Sequence, residues 1–444
     1  MPATAPTLSD TGAALFAILI LLVPLAGAGL ALINTGLGRS RSAAHLMMSS
    51  LCVVSVAALA YILCGFAWQG LAGQPAHVVT IGSKPWGWLG AGPLLLRHMT
   101  FGASPALLAA LLGMLSAGLA GLIPLGAGAD RWRVGACCAS TALLAGWTYP
   151  LFAHWVWGGG WLAQLGTNYG IGQGFVDTGG ASTIQAVGGL TALAIAWILG
   201  PRRGKYAHDG MPTAIPGHNA VFVLFGCLLA LIGWWGLNSA GAILFNGAES
   251  GVAAIVAINS TLSAASAALA AALVTNTRFR KPDASLTANG WVGGLAASSG
   301  VCAFVLPIEA AIIGAIAGVL VTFSVEWFEL RISVDDPGGS ISAHAMGGLW
   351  GVLAVGIFGN VPARALGAAG QAVARPGQWL AQLAGIATLI GFVLPLTYGL
   401  NWLLNRVYPQ RVPAEGERQG LDLYELGAGA YPEFVTHGDE FTER

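Results

Sequence analysis

Apolar residues run through this chain in long unbroken stretches, without the two-residue alternation of a half-buried strand or the 3.6-residue period of a surface helix. A bilayer's hydrocarbon is crossed by about 20 apolar residues in a helix. On that scale the pattern predicts eleven spans, near 13–34, 44–67, 103–127, 134–156, 179–200, 217–245, 251–275, 285–304, 307–329, 339–358 and 379–404. The run 101–129 is longer than one span needs, so part of it is expected at the interface. Trp68, Trp86, Trp88, Trp132, Trp327, Trp402 and Tyr408 fall at span ends, where amphipathic rings anchor a helix to the membrane surface.

The polar positions repeat. Asp177-Thr178-Gly179-Gly180, four further residues, then Gln185-Ala186-Val187-Gly188-Gly189-Leu190 recurs as Asp336-Pro337-Gly338-Gly339, four residues, then His344-Ala345-Met346-Gly347-Gly348-Leu349. Each copy sets a polar side chain eight residues, about 12 Å of helix, inside an Asp able to cap the helix start. Pro337 then occupies the first helical position of the second copy. Both copies open apolar spans, so the polar position lands near mid-membrane twice, as in a transport site built from two related halves.

Basic residues orient the chain. With the N-terminus outside, the cytoplasmic connections and tail hold Arg39, Arg41, Arg131, Arg133, Arg202, Arg203, Lys205, Arg278, Arg280, Lys281, Arg331, Arg406, Arg411, Arg418 and Arg444. The external connections hold only Lys84, Arg97, Arg364 and Arg375, so the N-terminus is expected outside and the C-terminus inside. The two repeat copies then cross in opposite directions, which makes an inverted 5+5 repeat plus one extra helix. Residues 1–404 form the expected transmembrane domain. The segment 405–444 holds eight acidic residues after Pro413, with recurring Gly and Pro, and reads as a cytoplasmic tail.

Composition narrows the function classes. Only 9% of residues are charged and 55% are hydrophobic, too little charge to cover a water-soluble surface. The formal net charge is zero, which leaves no basic footprint for nucleic acid. Cys52, Cys64, Cys137, Cys138, Cys227 and Cys302 all lie in apolar stretches without metal-ligand spacing and read as small hydrophobes. No nucleotide loop, metal triad or nucleophile constellation appears, so neither a cofactor nor an enzyme is expected. The segment 1–12 carries no positive side chain, so the first apolar run is expected to be retained rather than cleaved.

Taken in order, several segments resemble the ammonium transporter (Amt/Mep/Rh) superfamily over nearly the whole chain. They are Asp10-Thr11-Gly12 with Ala28-Gly29-Leu30-Ala31-Leu32 and Gly36-Leu37-Gly38-Arg39-Ser40; Ala153-His154-Trp155-Val156-Trp157-Gly158-Gly159-Gly160; and Gly233-Trp234-Trp235-Gly236-Leu237-Asn238. Lys281-Pro282 with Ala288-Asn289-Gly290-Trp291-Val292-Gly293-Gly294-Leu295, Asp335-Asp336-Pro337 with His344, and Gly420-Leu421-Asp422-Leu423 complete them. The resemblance implies an all-α trimer of eleven-helix subunits in the cell (inner) membrane, each with one narrow pore for ammonium or ammonia.

It also assigns roles. Trp157 resembles the aromatic of an external recruitment site, where a ring face binds a cation for roughly 0.5–2 kcal/mol; an interfacial Trp in a Gly-rich turn is the plainer reading. Asp177 resembles the acid beneath it and is equally a helix cap, with Asp336 its cytoplasmic counterpart. His344 resembles one member of a pair of pore histidines that relay a proton, against the plainer reading of a neutral core His bonded to a carbonyl. Intramembrane ionisable groups usually line pathways. Trp234 resembles a pore-lining ring, and Asn238 a helix-packing residue.

The departures matter as much. The partner of His344 is Gln185, whose amide donates and accepts hydrogen bonds but carries no proton. Leu237 replaces a pore aromatic, Gly241 a recruitment hydroxyl, and Asn34 a first-span Tyr. Phe101, in Met99-Thr100-Phe101, is the candidate for the second gate ring. The primary expectation is a transporter moving ammonium, or neutral ammonia because the relay is interrupted. The alternative is a transport-poor, ammonium-sensing or regulatory member signalling through its tail. That tail resembles a segment contacting PII-type regulators, although Glu425-Leu426-Gly427-Ala428 departs from the family's more polar run.

Overall fold

The computed structural model describes residues 10–97, 99, 104–247, 249–362 and 376–431. The chain is mostly helical: α1 (Thr11–Leu37), α2 (Ser40–Gln69), α3 (Pro105–Gly128), α4 (Val134–Val156), α5 (Ala181–Leu199), α6 (Ala220–Asn246) and α7 (Ala253–Phe279) are followed by α8 (Ala284–Val301), and then by α9 (Pro307–Arg331), α10 (Ile341–Phe358) and α11 (Gln378–Val407). Among the described residues, ten of these helices are long and apolar enough to cross a membrane. The one that falls short is α8, whose sequence is rich in Gly, Ala and Ser, because it is enclosed by α7, α9 and α10 and has little lipid to face. Small residues at such positions let backbones approach closely. By contrast α9 presents Ile308, Ile312, Ile316, Phe323 and Trp327 outward, as a helix wetted by hydrocarbon should.

Packing follows a pattern of two. The pairs α2–α3, α2–α4 and α3–α5 are matched five helices later by α7–α8, α7–α9 and α8–α10, while α1 packs along α6. That last crossing is reciprocal: a Cβ on Gly29 would sit 2.5 Å from the Gly226 carbonyl oxygen, and one on Gly226 would sit 2.6 Å from that of Gly29. No larger residue fits either position without separating the helices.

Two features lay outside the hydrophobic pattern. Between α2 and α3 the chain forms a hairpin, β1 (Ala76–Ile81) against β2 (Lys84–Gly90), antiparallel. Its turn residues Gly82 and Ser83 both take positive φ, 58° and 63°, as a tight hairpin turn requires. The second is the tail. It runs three residues later than expected, since α11 ends at Val407 rather than 404, and then folds back on the helix ends through α12 (Ala414–Gln419). Asp422 accepts from the amides of Ala44 (3.2 Å) and His45 (2.8 Å), and Glu425 from that of Val134 (2.9 Å). Neither α2 nor α4 has a side-chain cap from its own N-cap residue, so the tail's carboxylates supply what the helix starts lack.

The same end of the molecule holds a buried ion network. Arg202 forks onto Asp335 at 2.9 and 3.1 Å and reaches Asp130 at 3.0 Å. Asp130 also takes Arg39 at 3.2 Å, and Arg131 donates to the Asp335 carbonyl at 2.8 Å. Burial alone would raise the Asp335 carboxyl, but Arg131 and Arg202 hold it down to about 2. Its stabilisation is therefore complete above an unfolded value near 3.8 and is lost as pH falls toward 2. Asp335→Asn leaves two buried guanidiniums undercompensated. It is expected to cost about 3–5 kcal/mol at neutral pH, read as a lower melting temperature in detergent, with the gap to wild type closing below pH 4.

Candidate functional site

The repeated Asp-x-Gly-Gly segments form loops that deliver the two polar side chains. In the first copy the Asp177 carboxylate accepts the amides of Gly180 (2.9 Å), Ala181 (2.9 Å), Ser182 (2.8 Å) and Thr183 (3.1 Å), and the Ser182 hydroxyl at 2.5 Å. It thus satisfies the orphan donors of the first turn of α5. Burial raises the Asp177 carboxyl above the usual carboxylate range despite these bonds, which work to lower it. Gly180, at φ 97°, makes the sharp entry into the helix. In the second copy Asp336 Oδ2 accepts from the Ile341 amide at 2.7 Å, with Gly339 at φ 61°. Its other oxygen, Oδ1, is buried without a partner among the described residues, and burial pushes the carboxyl up to about 6.

Two expectations are corrected here. Pro337 lies in the loop, three residues ahead of the first helical residue, so it does not open α10. The Asp is not eight helical residues from the polar side chain either. Three of the intervening positions are loop, and Gln185 and His344 sit within the first turn of each helix. Both first turns, Ala181–Ala186 and Ile341–Met346, are π-helical. Such widened turns often mark functional sites.

The two helices cross against each other through equivalent glycines. A Cβ on Gly189 would lie 2.3 Å from the Ala345 amide nitrogen, and one on Gly348 would lie 2.4 Å from the Ala181 carbonyl oxygen. Contacts fall along one helix as they rise along the other, so α5 and α10 run antiparallel. At the crossing, His344 Nδ1 and Gln185 Oε1 are 2.7 Å apart. An amide oxygen only accepts, so His344 Nδ1 carries the hydrogen and donates it. Gln185 is fully buried and His344 is 4% exposed. The Gln185 amide nitrogen is buried with no partner among the described residues. A buried donor left open next to an imidazole is costly, and such groups in native structures ask for a ligand or a water.

The neighbouring helices hold this arrangement. From α8, the Ser299 carbonyl takes the Gly179 amide at 2.6 Å and the Gly300 carbonyl takes the Thr178 hydroxyl at 2.9 Å. From α6, Trp234 is fully buried and donates to the Ser299 hydroxyl at 3.1 Å. Asn238 donates to Ser260 at 2.9 Å and to Ser298 at 3.2 Å. Leu237 is buried at 1% exposure between these two. Gly241 has a packing reason: a Cβ there would stand 2.1 Å from the Thr178 carbonyl oxygen. On α11, Gln382 pairs with both backbone groups of Val176, at 3.0 and 2.9 Å, and so fixes the segment entering Asp177.

Trp157 belongs to the same assembly. Its indole N–H donates to the Asp177 carbonyl at 2.9 Å. Its ring is stacked on Phe245, with centroids 4.2 Å apart and planes 5° from parallel, and is only 6% exposed. Sequence reasoning missed Phe245 and Gln382; Phe245 is one apolar-span residue among many, whereas Gln382 carried a signal as an amide inside an apolar span. Phe101 lies outside the described residues.

Comparison with known proteins bears on this geometry. Residues 14–431 match the family model described as Ammonium Transporter Family. The chain is 35% identical to ammonium transporter Amt2 of Archaeoglobus fulgidus, over 93% of this chain and 86% of that one. It is 30% identical to the ammonium transporter of Bacillus subtilis, over 93% and 96%. Among solved structures it is similar to one titled Sensor Amt Protein, at 26% identity and a TM-score of 0.82, covering 93% of this chain and 97% of that one. A family match across nearly the full chain, with homologues of this identity and coverage, makes the chain a member of the ammonium transporter family, a membrane protein and not an enzyme.

Proposed function

We propose that the chain conducts ammonia through the crossing of α5 and α10, taking the neutral molecule at its centre. The observation that carries this reading is the 2.7 Å bond from His344 Nδ1 to Gln185 Oε1. It commits the ring hydrogen to Nδ1, so Nε2 presents a lone pair, while the Gln185 amide nitrogen presents donors. Ammonia has both donors and a lone pair and matches the two groups together. Ammonium has no lone pair and meets the amide hydrogens with like polarity, in a site where desolvation already opposes charge.

Ammonium arriving at the mouth is held by the Trp157 face and the potential of Asp177 and gives its proton to external water. The molecule that crosses regains a proton from water on the other side, so no charge passes. Trp234 and Leu237 furnish the apolar wall; Asn238 and the Asp336 cap keep the helices in place. The antiparallel crossing and the packing pairs five helices apart support an inverted 5+5 repeat with α11 as the extra helix and α8 as the eighth of eleven spans. The distribution of basic residues supports an external N-terminus and a cytoplasmic tail in the cell (inner) membrane. A homotrimer, and a PII-type regulator at the tail, belong to the same reading.

A second reading has its own support. Phe245 covers one face of Trp157, and a protein of this fold is titled a sensor. In this version the mouth binds ammonium and the tail signals, with little transport. Purified protein in liposomes separates the two. The transport reading expects lumenal pH to rise after an ammonium jump several-fold faster than in protein-free liposomes, and His344→Ala to remove most of the difference. A wild-type rate equal to bare lipid would leave the sensing reading.

A further inference from the structure

A groove of about 510 Å³ lies where the start of α4 and the end of α11 meet the tail, lined in part by Met48, Arg133, Tyr408, Tyr424, Glu425 and Leu426. Its position is that of a membrane surface. The spans Val134–Val156 and Gln378–Val407 begin and end beside it, and Met48, two turns inside Ser40–Gln69, is 46% exposed at its apolar edge. Tyr408 and Tyr424 are 40% and 41% exposed, placed as interfacial aromatics are.

Arg133 is the feature without an explanation. Its guanidinium lies 5.9 Å from the Tyr408 ring, and its Nε is buried without a partner among the described residues. The nearby acid, Glu425, is engaged elsewhere, by His45 at 2.8 Å and the Val134 amide at 2.9 Å. Burial pushes the Glu425 carboxyl up, but those bonds and the charge of Arg133 outweigh it and hold it down. Arginine's planar fork matches the oxygens of a phosphate, and an arginine at headgroup depth gains from anionic lipid.

We propose that this groove binds the headgroup of an anionic phospholipid from the leaflet on the tail side, with the phosphate on Arg133 and an acyl chain descending past Met48. The lipid bridges the membrane domain to the tail, because Met48 and Arg133 come from one and Tyr408 and Tyr424 from the other. The inference is independent of what passes through the centre of the subunit.

Native mass spectrometry of the detergent-purified full chain tests it, titrating phosphatidylglycerol, phosphatidylcholine and inorganic phosphate separately. The expected result is a saturable first phosphatidylglycerol adduct several-fold more populated than the phosphatidylcholine one, with no phosphate adduct at matched concentration. Arg133→Gln should reduce the phosphatidylglycerol adduct to the phosphatidylcholine level. Tyr424→Ala, outside the membrane helices and so without effect on their packing, should weaken it in the same direction. An unchanged preference in both variants overturns the proposal, and so does phosphate binding as strong as that of the lipid, which would make the groove a soluble-anion site.

Discussion

Replacing Gln185 with histidine should convert an electrically silent passage into one that carries current. In the wild-type pair, His344 gives its ring hydrogen to an amide oxygen that can neither accept a proton covalently nor pass one on. A second imidazole at that position would complete a ring-to-ring path across the crossing of α5 and α10. Ammonium could then lose its proton at one ring, and the proton could follow the ammonia to the far side. A positioned acid–base group contributes roughly 10²–10⁴-fold to a proton-transfer step, so the ammonium-evoked current should rise by at least about tenfold over the wild-type signal. The size match favours folding: the site is built around a planar side chain, and Gly348 opposite it has no Cβ, where one would crowd the Gln185 Cβ at 3.1 Å. Currents on solid-supported proteoliposomes measure it. Equal currents from wild type and Gln185→His would show that the amide does not interrupt any relay.

The second large effect is expected at Asp177. Its carboxylate alone satisfies four amides and a hydroxyl at the start of α5, all of them buried. An unsatisfied buried donor costs about 1–3 kcal/mol, so Asp177→Ala should cost at least about 4 kcal/mol and release the loop that carries Gln185. The Ala variant should melt far below wild type, or aggregate on extraction. Asp177→Asn retains one accepting oxygen and should fold, with slower ammonia entry because the negative potential under Trp157 is gone. Melting by fluorescence-detected size exclusion, together with the liposome flux assay, reads both. An Ala variant as stable as wild type would mean that the amides find other acceptors.

The contrast between Asp177 and Asp336 shows what could be read from the sequence and what could not. The repeat placed both acids at helix starts, and the contact between Gln185 and His344 followed from equating their positions in the two copies. Local composition carries that kind of information, because each residue's role depends on its distance from a cap in its own segment. The loop at Pro337 is not legible because Pro is equally suited to a turn and to a first helical position, and Gly339 decides in favour of the turn. The stacking of Phe245 on Trp157, the grip of Gln382 on Val176, and the Asp130–Arg202–Asp335 network join residues from distant segments. Their pairing is set by how the helices pack, and no periodicity encodes it. The hairpin was hidden for a related reason: Val78, Val79 and Ile81 on β1 are half exposed, so the strand lacks the alternation that marks one face as buried. The helix α8 was legible by its length and small residues, although it is not apolar enough to count as a span by composition, because an enclosed helix needs close contact more than it needs oil.

One measurement tests the central claim most directly: current and lumenal pH recorded together on wild-type proteoliposomes after an ammonium jump. A neutral molecule selected by the Gln185 and His344 pair predicts lumenal alkalinisation well ahead of protein-free liposomes with no current above their background. Alkalinisation at the bare-lipid rate, or an inward current that scales with protein, would contradict it.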